Sequence, residues 1–170
     1  HWYRYHHLFA DVLRAHLLAE QPDQPPILHR RAGVWFAQNG SMPEAIHHAL
    51  AGQDFERAAD LIERAFHAMG QTRQEATLLS WFQALPDELF RNRPVLSVHN
   101  VGALLQNGRL EGAAARLDDA ERWLAAGATG RPVYADEEEW QRLPASVAMY
   151  RAAIALLHGD VVGATGHARR

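Results

Sequence analysis

Apolar residues recur at steps of three and four along almost the whole chain, which is the spacing of one face of an α-helix. In the stretch 55–69 the apolar stripe consists of Phe55, Ala58, Ala59, Ile62, Ala65, Phe66 and Met69. Charged residues fill the positions between them and would face water. No segment shows the sustained alternation of a half-buried strand. The sequence therefore predicts an all-α fold.

Three glycines divide the helical stretches into pairs. Gly40, Gly108 and Gly159 each lie between two such stretches, and an alanine follows each glycine by five positions. Gly40 and Gly108 are two periods of a ~34-residue repeat apart, whereas Gly159 breaks this register. Because short links favour antiparallel neighbours, we predict antiparallel helical hairpins stacked as a degenerate TPR-like α-solenoid. The inner surface of such a stack would be a binding groove.

The composition limits the classes of function. The chain has 170 residues and a formal net charge of −3, and its basic side chains are all arginine. This balance does not fit direct contact with nucleic acid, which needs an excess of basic residues. The absence of cysteine excludes disulfides and thiolate metal sites. No apolar run approaches the ~20 residues of a membrane span, and no signal-peptide pattern opens the chain. We therefore predict a cytoplasmic protein with no membrane contact.

No pattern of residues predicts catalysis or a bound metal or cofactor. The HExxH motif and the GxxxxGK[ST] phosphate loop are both absent. His6 and His7 would point about 100° apart on a helix, which disfavours a metal site with His1. In the pair His47-His48, we expect His48 to lie at a helix interface and His47 to face water. The sequence thus predicts a protein that is not an enzyme and has no metal site.

The tryptophans are the remaining candidates for a binding site. Trp35 and Trp81 have the spacing of core residues. Trp123 and Trp140 flank the irregular stretch 127–136 and lie off the main stripes, so we predict that they line a ligand groove. The acidic run 136–139 should stabilise the N-terminus of a long helix over 137–158. The residues predicted to point inward from this helix are Leu143, Val147, Tyr150, Ile154 and Leu157.

Two stretches of the sequence resemble a known protein family. The opening "WYRYHHLFADVLRAHL" is followed by "LHRRAGVWFAQNGSMPEAIHHALAGQDFERAADLIE" at 28–63. In this order they resemble the large ATP-dependent, MalT-like transcriptional regulators of the LuxR type over roughly the first 70 residues. The resemblance implies three regions. Residues 1–20 would end a winged-helix subdomain, 21–26 would form a linker, and 27–170 would be a TPR-like sensor region truncated at its C-terminus.

The resemblance also implies a function and a set of partners. The chain would be a regulatory sensor module whose helical repeats bind a small effector or a regulatory protein. It would also contact other domains of its parent and possess a capacity for self-association. ATP or ADP would be bound by the full-length protein and not by this segment. His6, followed by Leu8, matches a nucleotide-sensing histidine, although His7 stands where related groups often have Asp. The alternative is a stand-alone TPR-like scaffold for protein–protein interaction.

Overall fold

The computed structural model describes residues 7–70, 74–125 and 130–169, and all regular structure among them is α-helical. The helices are α1 His7–Glu20, α2 Gln24–Gln38, α3 Met42–Ala51, α4 Phe55–Gly70, α5 Glu75–Gln83, α6 Asp87–Asn92, α7 Pro94–Gln106, α8 Ala113–Leu124, α9 Glu137–Leu157 and α10 Val161–Ala168. The all-α prediction is confirmed for this part of the chain. The chain forms two compact units, His1–Ala58 and Ala59–Arg170, and the division falls within α4.

The three predicted glycine turns share one hydrogen-bonded closure. Gly40, Gly108 and Gly159 have φ of +77°, +68° and +79°, a left-handed conformation that glycine adopts without a Cβ clash. In each turn, the residue after the glycine donates its N–H to the carbonyl five residues earlier. These bonds are Ser41 to Phe36, Arg109 to Leu104 and Asp160 to Ala155, at 3.0, 2.9 and 2.9 Å. The glycine turns between α2 and α3, α7 and α8, and α9 and α10 are therefore confirmed.

Two further features recur in the three hairpins. The side chain before each glycine donates a hydrogen bond to the carbonyl four residues earlier, from Asn39, Asn107 and His158 at 2.8, 2.8 and 2.9 Å. The alanine five positions after each glycine is buried, with exposures of 0%, 0% and 4% for Ala45, Ala113 and Ala164. These recurrences agree with a helical-repeat arrangement. The TPR-like type of the repeat stays a prediction.

In the first unit, α2 and α3 form a hairpin that depends on a small residue. Gly33 is buried, and a Cβ added there would lie 3.3 Å from both the Ala45 carbonyl oxygen and the Ala49 nitrogen. The backbones approach closely because Gly33 carries no side chain. Two prolines occupy the first turn of α2, where a missing N–H is tolerated. Residues 24–26 of the predicted linker are therefore helical.

In the second unit, α7 lies at the centre of the core. Every residue from Pro94 to Ala103 is buried. The apolar core brings α7 together with α8 and α9 through Val95, Val98, Val101, Ala113, Leu117, Ala120, Leu143 and Val147. The polar residues of α7 consequently need partners inside the protein, because a buried polar group without a hydrogen bond is destabilising.

The stretch before α7 contains the short helix α6. Asp87 and Glu88 lie in its first turn, where negative charge is favourable. Phe90 is 1% exposed, so this single turn of helix contributes a large side chain to the core. Six residues give too little periodicity to predict such a helix from the sequence.

A buried ion cluster fixes the approach to α9. The Arg93 guanidinium donates hydrogen bonds to Glu63 on α4 at 3.1 Å and to Asp60 at 2.6 Å. Glu63 also accepts a hydrogen bond from the backbone N–H of Ala135 at 2.6 Å. Burial raises the pKa of Glu63 to about 7, against the lowering effects of the Ala135 N–H and Arg93. These contacts hold the segment before α9 against α4 and the start of α7.

A fourth turn, between α3 and α4, closes in the same way with Gln53 in the left-handed position that glycine takes in the other three. Asp54 donates its N–H to the Ala49 carbonyl at 2.9 Å, and Gln53 carries a φ of +55°. We expect Gln53→Gly to raise the free energy of unfolding by about 0.5–1 kcal/mol, because it removes the Cβ strain of this conformation. Gly108→Ala should lower it by about 1–2 kcal/mol for the converse reason. Urea denaturation followed by circular dichroism measures both.

The matched control is Gln38→Gly in the last turn of α2, where the backbone is helical. It should lower the free energy of unfolding by up to about 1 kcal/mol. If Gln53→Gly has the same destabilising effect as this control, the strain assigned to Gln53 is wrong.

Candidate functional site

The sequence-predicted site residues do not come together in one place. His6 lies outside the described residues, and its nucleotide-sensing role stays a prediction. Trp123 on α8 donates its indole N–H to the Arg91 carbonyl at 2.8 Å. Trp140 on α9 stacks on Tyr134 with ring centroids 5.3 Å apart and packs against the core of the second unit. Both tryptophans are half-buried, and neither lines the two cavities described next. Their groove role stays a prediction.

A pair of imidazoles lies between α2 and α3. His48 stacks on Phe36 with centroids 5.2 Å apart, and its Nδ1 lies 2.8 Å from the Nδ1 of His29. Burial, followed by the charges of His29 and His47, lowers the pKa of His48. One ring must accept the hydrogen bond, so the two cannot both be charged. The interface position of His48 and the exposure of His47 are both confirmed.

The first unit contains a cavity of about 530 Å³ beside this imidazole pair. Its walls are mostly apolar and come from α1, α2, the turn between them and the end of α3. The lining residues are Arg14, Leu17, Leu18, Pro22, Pro25, Pro26, Leu28, His29, Ala32, His48 and Ala51. Arg14, His29 and His48 supply the polar atoms of this mostly apolar lining.

The second unit contains a groove of about 360 Å³ lined by α5, α7 and α8, together with the turn that enters α6. We call it the α5–α7–α8 groove; its lining residues are Leu79, Phe82, Gln83, Leu85, Asp87, Asn100, Leu104, Glu111, Gly112, Ala115 and Arg116. Asn100 is only 7% exposed, and its amide is an uncharged donor and acceptor in the wall. The groove stays open where α8 begins because Gly112 and Ala115 have little or no side chain.

Arg116 is held in a defined position at the edge of this groove. Its guanidinium lies 4.0 Å above the centre of the Phe90 ring and donates a hydrogen bond to Asp87 at 2.5 Å. Stacking on an aromatic face limits the freedom of the long side chain. The α5–α7–α8 groove thus combines an apolar floor, a neutral amide, a cation that pairs with Asp87 and Asp119, and the carboxylate of Glu111.

A third cluster joins three helices of the second unit: His67 on α4, His99 on α7 and Glu139 on α9. Glu139 accepts hydrogen bonds through Oε1 from His67 Nε2 at 2.9 Å and through Oε2 from His99 Nε2 at 3.3 Å. All the ligand-type atoms lie within 4.8 Å of one another. Local sequence patterns do not reveal this cluster, because its members are far apart along the chain and match no short motif.

The surroundings fix the charge states of this cluster. The hydrogen bond from His99, and next the charge of His67, lower the pKa of Glu139 to about 2 despite partial burial. Burial lowers the pKa of His99, against the effect of Glu139. His99 stacks on Phe66 with centroids 4.1 Å apart, and its Nδ1 is buried without a hydrogen-bond partner among the described residues. At neutral pH, Glu139 is therefore ionised and His99 is neutral, with its proton on Nε2.

Two imidazole nitrogens and a carboxylate are ligand types that suit zinc and related ions. The same groups can also act as a hydrogen-bonded cross-link between α4, α7 and α9. The three side chains do not include a nucleophile paired with an oriented base. None of the helices in the described ranges is both long and apolar enough to cross a membrane.

Comparison with known families supports the sequence resemblance. Residues 1–25 match the family model of the MalT winged helix domain. Over 97 residues, 57% of this chain, the segment is 31% identical to the HTH-type transcriptional regulator MalT of Vibrio campbellii. Over 120 residues, 71% of this chain, it is 28% identical to MalT of Vibrio parahaemolyticus. The resemblance to MalT-like regulators is confirmed.

A protein kinase is also similar in sequence to this chain. The serine/threonine-protein kinase PknK of Mycobacterium tuberculosis is 39% identical over 97 residues, 57% of this chain. The matched segments are short parts of these relatives: 9% of the kinase, and 11% and 13% of the two MalT regulators. This chain thus spans about a tenth of their length. No solved structure matches it.

The His67–His99–Glu139 cluster predicts how stability depends on pH. Glu139 has a folded pKa below its ordinary value of 4.5, so its contribution is present above pH 4.5 and is lost as the pH falls towards 2. Glu139→Gln should lower the free energy of unfolding at pH 7 by about 1–3 kcal/mol, because it removes charged hydrogen bonds. It should also flatten the decrease in stability between pH 4.5 and 2. Urea unfolding at several pH values measures both effects.

Glu138→Gln is the matched control, since its side chain is 77% exposed and lies next to Glu139 in the same helix. This change should leave the acid limb of the stability curve unaltered. Equal effects of the two substitutions would show that Glu139 contributes no more than an ordinary surface charge.

Proposed function

We propose that this chain is a regulatory sensor module of a larger, cytoplasmic MalT-like transcription regulator, and that it binds an effector and catalyses no reaction itself. The observation that carries the proposal is the order of parts along the chain. A segment matching the MalT winged helix domain is followed by helical hairpins, and these hairpins contain a concave, mixed apolar and polar groove.

The names of the relatives support a role in regulation. The matched segment occurs in proteins named for two different outputs, a serine/threonine kinase and HTH-type transcriptional regulators. A segment common to such proteins fits a part that controls an output better than a part that performs it. We favour a transcriptional parent because the family model that matches residues 1–25 is that of the MalT winged helix domain.

The α5–α7–α8 groove is the proposed effector site. Its volume of about 360 Å³ falls in the range of small-molecule sites, about 300–1,000 Å³. Leu79, Phe82 and Leu85 provide an apolar floor, while Asn100 and Arg116 provide directional polar contacts. Because Asp87 and Glu111 also line the groove, the matching ligand is a small molecule with an apolar body, hydrogen-bonding groups and no excess of negative charge. Its binding would favour one conformation of the parent, releasing the ATP/ADP-dependent switch and promoting self-association.

The proposed effector site is tested by a substitution that fills the groove and leaves the buried core unchanged. Ala115 on α8 is exposed and lines the groove, so Ala115→Trp should fill it without disturbing buried contacts. A thermal-shift screen of small polar metabolites should give a stabilising compound for the unsubstituted chain, since a ligand at 100 times its Kd adds about 2.7 kcal/mol. Ala115→Trp should abolish that shift.

Ala114→Trp is the matched control, because Ala114 is exposed on the same helix but does not line the groove. It should retain the shift in full. A compound that stabilises both tryptophan variants equally binds elsewhere and overturns the assignment of this groove.

The parent protein has a separate test in the coding sequence around this segment. The proposal expects a phosphate loop on the N-terminal side and a helix-turn-helix on the C-terminal side. A kinase catalytic domain in the same reading frame would show that the parent protein acts by phosphorylation and not by regulating transcription directly. An open reading frame limited to the helical segment would favour the stand-alone interaction scaffold.

A further inference from the structure

We propose that His67, His99 and Glu139 form a binding site for a divalent transition-metal ion of the zinc type. The three side chains would supply two imidazole Nε2 atoms and one carboxylate oxygen. A fourth position would remain open to water at the exposed His67 side, which is the pattern of a three-ligand zinc site. This site is separate from the α5–α7–α8 groove, and the proposal does not depend on the function of that groove.

The spacing of the ligand atoms is close to what the ion requires. A tetrahedral zinc ion with bonds of about 2.0–2.1 Å holds its ligand atoms about 3.3–3.4 Å apart. Here the two Nε2 atoms lie 2.9 and 3.3 Å from the Glu139 oxygens, and all the ligand atoms fall within 4.8 Å. A small movement of the exposed His67 side chain is enough to admit an ion.

The buried half of the site is already in place. His99 is 4% exposed and is held against the Phe66 ring in a stacked arrangement. The Glu139 side chain is 12% exposed and begins from the first turn of α9, whose cap is fixed by the Asp136 side chain. Because the His67 side chain is 60% exposed, an ion could reach these two buried ligands from the solvent on the His67 side.

The contacts around the ligand set are incomplete on the His99 side. Binding at Nε2 moves the His99 proton to Nδ1, which has no acceptor among the described residues. Metal-bound histidines usually donate this second N–H to a partner. We therefore expect an affinity below that of a structural zinc site with complete outer contacts.

A neighbouring cation competes for the carboxylate but has another partner. Arg142 donates to Glu139 at 3.3 Å and also to Glu138 at 3.2 Å, one turn earlier in α9. An incoming ion can displace Arg142 from Glu139 while the Arg142–Glu138 pair remains. Removal of Arg142 should consequently strengthen metal binding, an effect that a purely structural ion pair would not produce.

The experiment is titration of the chelator-treated chain with Co²⁺, whose tetrahedral sites absorb visible light, followed by competition with spectroscopically silent Zn²⁺. We expect one Co²⁺ per chain, a visible tetrahedral spectrum and its loss on addition of Zn²⁺. His67→Gln should weaken binding at least about tenfold. Because His67 is exposed, this variant should fold, which circular dichroism checks. Arg142→Gln should tighten binding several-fold.

The second imidazole pair provides the matched control. His29 and His48 also converge, but the described residues place no carboxylate within ligand distance of both rings. His29→Gln should leave the Co²⁺ spectrum and affinity unchanged. The proposal is overturned if the unsubstituted chain gives no tetrahedral spectrum, or if binding survives His67→Gln and is lost with His29→Gln. Binding that is insensitive to both changes would be non-specific surface binding and would also overturn it.

Discussion

The burial of α7 is the constraint on which the second unit depends. A helix covered along ten consecutive residues cannot leave its polar groups to water. Arg93 is met by Asp60 and Glu63, and the Ser97 hydroxyl donates to the Phe90 carbonyl at 2.8 Å. His99 is met by Glu139, and Asn100 faces the α5–α7–α8 groove. The ion cluster, the candidate metal ligands and the groove wall are therefore successive consequences of one buried helix.

Much of the architecture could be predicted from local sequence. The apolar periodicity indicated α4 and α9, and the glycines marked three turns because only a positive φ closes them in this way. Burial was harder to predict. Leu143 is 1% exposed as expected, whereas Leu157 on the same stripe is 63% exposed, since it lies at the last residue of α9. Trp81 is buried as expected, but Trp35 is 46% exposed.

The candidate sites depend on contacts that local patterns do not encode. His67, His99 and Glu139 meet only because α4, α7 and α9 share a core, and periodicity says nothing about which helices become neighbours. Trp123 and Trp140 lie off the main apolar stripes. Trp123 nevertheless donates a hydrogen bond to the Arg91 carbonyl, and Trp140 stacks on the Tyr134 ring. A residue that leaves one helical stripe can still pack against a connecting segment.

The hairpin closures have a consequence for how such a chain can change over evolutionary time. Each glycine turn is closed by hydrogen bonds inside its own pair of helices. Duplication or loss of a helix pair, or a longer connection between pairs, would therefore leave these hydrogen bonds in place. During evolution, such a protein could gain or lose whole hairpins while the sequence requirements of each hairpin stay the same.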